Sequence, residues 1–109
     1  MKNLLIETKE ALADEGYVWP HSVNYISVYD FHSHAERSIP FVLFEEKANR
    51  CYDNSYGAQE VNSSLKIVMN DGSYYDRGEY DGSEWWEYHP VVEKVAPPRV
   101  NGELRLFRS

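Results

Sequence analysis

The sequence places one acidic residue and two histidines at alternate positions, a spacing that can bind a metal ion. These residues are Asp30, His32 and His34, and on an extended strand their side chains would project from one face. Two imidazoles and a carboxylate are a ligand set for zinc and related metals. The sequence shows no identifiable fourth ligand, and a short ligand spacing is a weak signal by itself. We therefore predict no metal site and no cofactor, with both histidines in a polar loop.

Cys51 is the single cysteine and the second candidate for chemistry. A cysteine nucleophile needs a nearby base or positive charge, and the sequence around Cys51 and Asp53 supplies no clear activating group. A lone cysteine is more often a small buried hydrophobic residue. The chain also lacks a phosphate-binding glycine loop and a nucleophile-elbow motif. We predict a protein without catalytic residues that is not an enzyme.

The strongest functional signal is an acidic, aromatic stretch from Asp71 to Glu87, with six acidic residues against one basic residue, Arg77. Because strand side chains alternate, we expect one of Trp85 and Trp86 to face the core and the other to face solvent. An exposed aromatic ring among carboxylates suits a basic partner, since the ring can pack into the interface and the carboxylates attract the partner's positive charge. The alternative is a solvated sheet face. The predicted partner-binding residues are Asp76, Glu79, Asp81, Glu84, Trp85, Trp86 and Glu87.

The composition fits one small acidic globular domain. Lys and Arg total 11 against 18 Asp and Glu, which gives a formal net charge of −7 over 109 residues. This charge disfavours direct binding to DNA or RNA. A single cysteine excludes an internal disulfide, and no segment resembles a signal peptide or membrane span. We expect a cytoplasmic single domain over 1–109, with a core over 1–95 and an extended arm or edge strand over 96–109.

Hydrophobic periodicity predicts a first helix over residues 2–15 that ends at Gly16. Its acidic residues Glu7, Glu10 and Asp14 are predicted to face away from the core. A strand is predicted over 24–29, where apolar and polar positions alternate.

Residues 38–52 are ambiguous, because the apolar run Phe41 to Phe44 could form a buried strand or part of a helix. We favour a helix capped by Ser38, with Phe44 and Cys51 on its buried stripe. The reason is that residues 45–50 continue the same period with good helix formers.

The clearest structural signal is a set of strands separated by tight turns. Turn residues at Asn70 to Ser73 and Asp81 to Ser83 separate predicted strands at 65–69, 73–80 and 84–88. The predicted fold class is therefore α+β: an N-terminal helix, a second helix and an antiparallel β-meander of three to five strands.

The string from Tyr80 to Tyr88, with a helix ending at Gly16 ahead of it, resembles a family of small accessory proteins from phages, prophages and other mobile elements. The likeness covers residues 2–17 and 50–90. The family has no known activity, so the resemblance implies a genomic context and not a reaction. Many small acidic phage proteins antagonise host defence, including anti-CRISPR and anti-restriction proteins.

Together, the resemblance and the acidic stretch predict a non-enzymatic inhibitor of a host protein. The predicted partner is a basic host protein that handles nucleic acid, and the inhibitor would occupy its phosphate-binding groove. The alternative is a small-molecule module in which a Tyr and Trp pocket stacks a nucleotide-like ligand.

Overall fold

The computed structural model describes residues 1–53, 59–90 and 106–107, and these residues form two helices and seven strands. The helices are α1 (Leu4–Asp14) and α2 (Phe41–Ala48). The strands are β1 (Lys2–Asn3), β2 (Val23–Asp30), β3 (Ala35–Ile39), β4 (Cys51–Tyr52), β5 (Lys66–Met69), β6 (Tyr74–Tyr80) and β7 (Ser83–His89). Five antiparallel strands form one sheet in the order β3-β2-β5-β6-β7, and β1 pairs separately with β4. This arrangement confirms the predicted α+β class.

Helix α1 confirms the first predicted helix, and local signals set both of its ends. The side chain of Asn3 caps the start by accepting a hydrogen bond from the backbone N–H of Ile6 at 3.1 Å. Beyond the end, Gly16 has φ of 85°, a conformation that glycine adopts without steric cost. The buried side chains Leu4 and Leu12 fix the helix to the core.

Helix α2 confirms the helix interpretation of the ambiguous segment, but the predicted ends were wrong. Ser38 does not cap the helix, because it lies in β3 and pairs with Ser27 of β2. The helix begins after Pro40, which has no N–H to continue the strand ladder. Cys51 is exposed in β4, so its predicted place on a buried helical stripe was also wrong.

The predicted β-meander is confirmed. Met69 donates its N–H to the carbonyl of Ser73 at 2.8 Å across the first turn. The second turn has two residues, Asp81 and Gly82, with φ of 54° and 86°. Positive φ at both positions defines the turn that matches strand twist best. The predicted arm over 96–109 lies mostly outside the described residues, although Phe107 is buried and pairs with Val61.

Helix α1 covers one face of the sheet at its β6–β7 end, and this face is called the inner face below. The hydroxyl of Tyr75 in β6 donates to the carbonyl of Ala11 at 3.1 Å. The indole Nε1 of Trp86 in β7 donates to Thr8 Oγ1 at 2.9 Å. Helix α2 packs against β2 and α1. The two edge strands of the sheet are β3 and β7, and α1 lies beside β7.

Gly78 in β6 is directly opposite Trp85 in β7, and the indole occupies the space where a side chain would lie. A Cβ at Gly78 would approach Trp85 Nε1 to 2.4 Å and Cε2 to 2.5 Å. The ring therefore packs over the glycine on the outer face of the sheet, opposite α1, and this contact holds a partly exposed tryptophan in place.

We predict that Gly78→Ala displaces this indole and lowers the free energy of unfolding by about 1–3 kcal/mol, the usual cost of overpacking. Chemical denaturation measures the loss. The matched control is the same change in a Trp85→Ala background, where alanine should be neutral or stabilising because no ring opposes it. An equal cost in both backgrounds would contradict the packing of the indole on Gly78.

Candidate functional site

Strand β7 divides its side chains between the two faces of the sheet. Glu84 and Trp86 point inward and are 2% and 9% exposed, whereas Trp85 is 39% exposed. Glu87 and His89 share the outer face with Trp85, since alternate residues of a strand lie on one side. The structure thus identifies Trp85 as the outward tryptophan and Trp86 as the inward one.

A buried ion cluster centred on Arg77 occupies the inner face. Arg77 Nη1 lies 3.2 Å from Glu7 Oε2, and Nη2 lies 3.7 Å from Glu84 Oε1. Nη2 also donates to the hydroxyl of Tyr52 at 2.8 Å, and the guanidinium lies 4.8 Å from the ring centroid of Trp86. One cation is therefore held between two carboxylates and two aromatic side chains.

Tyr52 completes this cluster by donating its hydroxyl to Glu7 Oε1. Burial raises the pKa of Tyr52 well above its usual value, and the hydrogen bond to the Glu7 carboxylate acts in the same direction. The tyrosine consequently stays neutral, so it can donate to Glu7 while it accepts from Arg77.

Two predicted partner-binding residues therefore have structural roles. Glu84 accepts hydrogen bonds from the backbone N–H groups of Glu60 at 2.7 Å and Val61 at 3.1 Å, in addition to pairing with Arg77. Trp86 is buried against Thr8. Both side chains are buried, so they do not form the exposed binding surface that the sequence predicted.

We predict that Arg77→Met lowers the free energy of unfolding by about 3–5 kcal/mol, because Glu7 and Glu84 would remain buried without a cation. Arg77→Lys should be intermediate, since a single ammonium cannot reproduce the planar contacts of a guanidinium. Denaturant titration of both variants measures this.

The control is Arg50→Met, which removes an exposed arginine that lies over the Phe107 ring at 4.4 Å. Its cost should stay below about 1 kcal/mol. If Arg77→Met cost no more than Arg50→Met, the ion cluster would not stabilise the fold.

An open acidic cleft lies between α1 and β7. Its volume is about 200 Å³, and its lining residues are Lys2, Glu7, Glu10, Ala11, Asp14, Trp85 and Trp86. Three of these lining residues are acidic and one, Lys2, is basic, and the Glu7 carboxylate is already paired with Arg77. The exposed acids are Glu10 and Asp14, which lie one turn apart on α1.

The exposed acidic residues of this cleft, Glu10 and Asp14, destabilise the helix on which they lie. Like charges at positions i and i+4, such as Glu10 and Asp14, destabilise a helix by about 0.2–0.5 kcal/mol. Asp14 also lies in the last turn, which has no basic residue, although the helix dipole favours a cation there. Such local conflicts are expected where a residue serves function.

The remaining predicted partner-binding residues are divided among separate places. Glu79 lies beside the Asp81 turn, where its Oε2 accepts from the N–H of Gly82 at 2.6 Å. Asp76 and Glu87 are opposite each other on the outer face. Trp85 shares this outer face and, as a partly exposed residue, also borders the acidic cleft. The structure therefore does not bring the predicted acids into one patch.

The Asp30, His32 and His34 segment forms the turn between β2 and β3. Asp30 Oδ1 accepts from the backbone N–H of His32 at 2.9 Å, and Oδ2 accepts from Ser33 Oγ at 2.9 Å. These hydrogen bonds, with that of Ser33 dominant, lower the pKa of the Asp30 carboxyl. The carboxylate thus organises the turn, and His32 and His34 are exposed.

A different set of possible metal ligands lies on the outer face of β6 and β7. Ligand atoms of Asp76, Glu87 and His89 all lie within 4.8 Å of one another. Sequence inspection missed this set because its members are separated along the chain. The signal that could have revealed it is the hairpin register, which pairs Asp76 with Glu87 once the Asp81-Gly82 turn is fixed.

Within the described residues, neither helix is long and apolar enough to cross a membrane. Comparison with protein-family models, characterised proteins and solved structures finds no match to this chain.

Proposed function

We propose that the protein is a non-enzymatic inhibitor that binds a basic segment of a partner protein at the acidic cleft. The observation that carries this proposal is that two exposed carboxylates, Glu10 and Asp14, and the partly exposed Trp85 border one open cleft. Lysine and arginine side chains pair with carboxylates and also stack on indole rings, so a cationic segment satisfies both features.

The negative charge of the chain would also speed its association with a basic partner. The chain has a net charge of −7, and a complementary basic surface is attracted over distances of about the Debye length, roughly 8–10 Å at ordinary ionic strength. Glu10 and Asp14 would act mainly on the rate of association. Trp85 would act mainly on dissociation, because a desolvated aromatic anchor carries much of the binding energy of an interface.

The cleft disfavours the alternative of a nucleotide-like ligand. The exposed carboxylates of Glu10 and Asp14 repel phosphate, and phosphate sites instead use helix N-termini or basic side chains. The charge of the cleft therefore favours a cationic protein segment.

The resemblance to phage-borne accessory proteins is the ground for proposing a host protein as the partner. A nucleic-acid-handling defence protein of the kind blocked by anti-CRISPR or anti-restriction proteins has a basic groove that suits an acidic inhibitor. Such an inhibitor would act in the host cytoplasm, which agrees with a chain that has a single cysteine.

We predict that the double variant Glu10→Gln, Asp14→Asn binds a fluorescent oligo-arginine peptide about three- to tenfold more weakly at low salt. The estimate assigns each exposed ion pair roughly 0.2–1 kcal/mol. Fluorescence anisotropy measures the affinity, and the difference should shrink as salt is added. Trp85→Ala should weaken binding at both low and high salt.

The matched control is Glu36→Gln, Glu46→Gln, which removes the same charge from exposed positions on β3 and α2. It should leave affinity close to that of the natural chain. Equal weakening by both double variants would mean that the peptide senses net charge alone, and the cleft would then not be the binding site.

A further inference from the structure

The outer face of the β6–β7 hairpin carries a cluster of three metal-ligating side chains that the proposed function does not use. Asp76 and Glu87 are directly opposite in the register, and His89 follows two positions after Glu87 on the same side of β7. Their ligand atoms lie within 4.8 Å of one another. The cluster stands on two hydrogen-bonded strands and not on a loop, so its backbone spacing is fixed.

The imidazole of His89 is already oriented towards the other ligands. Its ring stacks on Tyr74, with centroids 4.6 Å apart and planes at 14°. In this orientation His89 Nε2 lies 2.8 Å from Asp76 Oδ1. A ligand held this way loses little side-chain freedom on binding a metal, and preorganisation of this kind raises affinity.

The nearest basic side chain on the next strand is directed elsewhere. Lys66 is opposite Asp76 in the register, but its ammonium lies over the Tyr74 ring, 5.0 Å from the centroid. Within the described residues, Asp76 is paired with His89 and not with Lys66. A bound cation would therefore not have to displace Lys66 from Asp76.

The donor set indicates the class of metal. Calcium and magnesium prefer all-oxygen sites, whereas an imidazole nitrogen with carboxylate oxygens suits divalent first-row transition metals. The side chains of His89 and Asp76 are 35% and 40% exposed, so water can complete the coordination, as in open zinc sites.

We propose that Asp76, Glu87 and His89 form an exchangeable binding site for a divalent transition-metal ion such as Zn²⁺ on the outer face of the sheet. This site is distinct from the Asp30, His32 and His34 spacing, and it revises the expectation from the sequence that the chain has no metal site. It also stands independently of the acidic cleft, because none of its three residues lines that cleft.

Calorimetric titration of the metal-free protein with Zn²⁺ tests the proposal, and absorption of the Co²⁺ complex in the visible range reports the coordination. We expect one equivalent to bind. His89→Ala and Asp76→Asn should each weaken binding at least about tenfold, judged from the effect of losing even an outer-shell partner. Lys66→Met should tighten it, because removing a nearby positive charge favours a bound cation.

The matched control is the double variant His32→Ala, His34→Ala, which removes two exposed imidazoles elsewhere on the surface. It should bind zinc with unchanged affinity and stoichiometry. Circular dichroism establishes that each variant is folded before titration. Absence of stoichiometric zinc binding by the natural chain, or its loss in the His32 and His34 variant, would overturn the proposal.

Discussion

The fold depends on the ion pairs and hydrogen bonds that one buried cation, Arg77, makes. Arg77 has a fully buried side chain in β6, and its partners come from α1, β4 and β7 through Glu7, Tyr52 and Glu84. Glu84 in turn holds the backbone at residues 60 and 61. A buried charge without its partners costs more than the pair contributes, so these elements must assemble together.

The same cluster determines which side chains remain for function. Because Glu84 and Trp86 are committed to the inner face, the alternation of β7 leaves Trp85, Glu87 and His89 on the outside. Glu7 fixes one side of α1 to Arg77, and Glu10 and Asp14, in the next two turns of the helix, line the open cleft beside β7. The ion cluster that stabilises the fold thus also determines which side chains form the two candidate surfaces.

The elements that depend on local interactions could be predicted from the sequence. The elements and buried residues that depend on contacts between distant parts of the chain could not. Helix α1 and the Asp81-Gly82 turn follow from caps, periodicity and glycine, so both were predictable. Strand β3 was missed because its residues become a strand only by pairing with β2. Glu7 was predicted to face solvent, since nothing in its local pattern reveals that Arg77, 70 residues away, would bury it. The two acidic residues that were predicted to be exposed and are buried, Glu7 and Glu84, both belong to the ion cluster.

The proposed function requires that the cleft between α1 and β7 binds cationic protein segments. The most direct test is an amide and indole chemical-shift map of the protein during titration with an oligo-arginine peptide. We expect changes concentrated in the second half of α1 and in β7, including the indole N–H of Trp85 but not that of buried Trp86. Shifts spread evenly over all exposed acidic residues, or centred on the Asp81 turn, would contradict it.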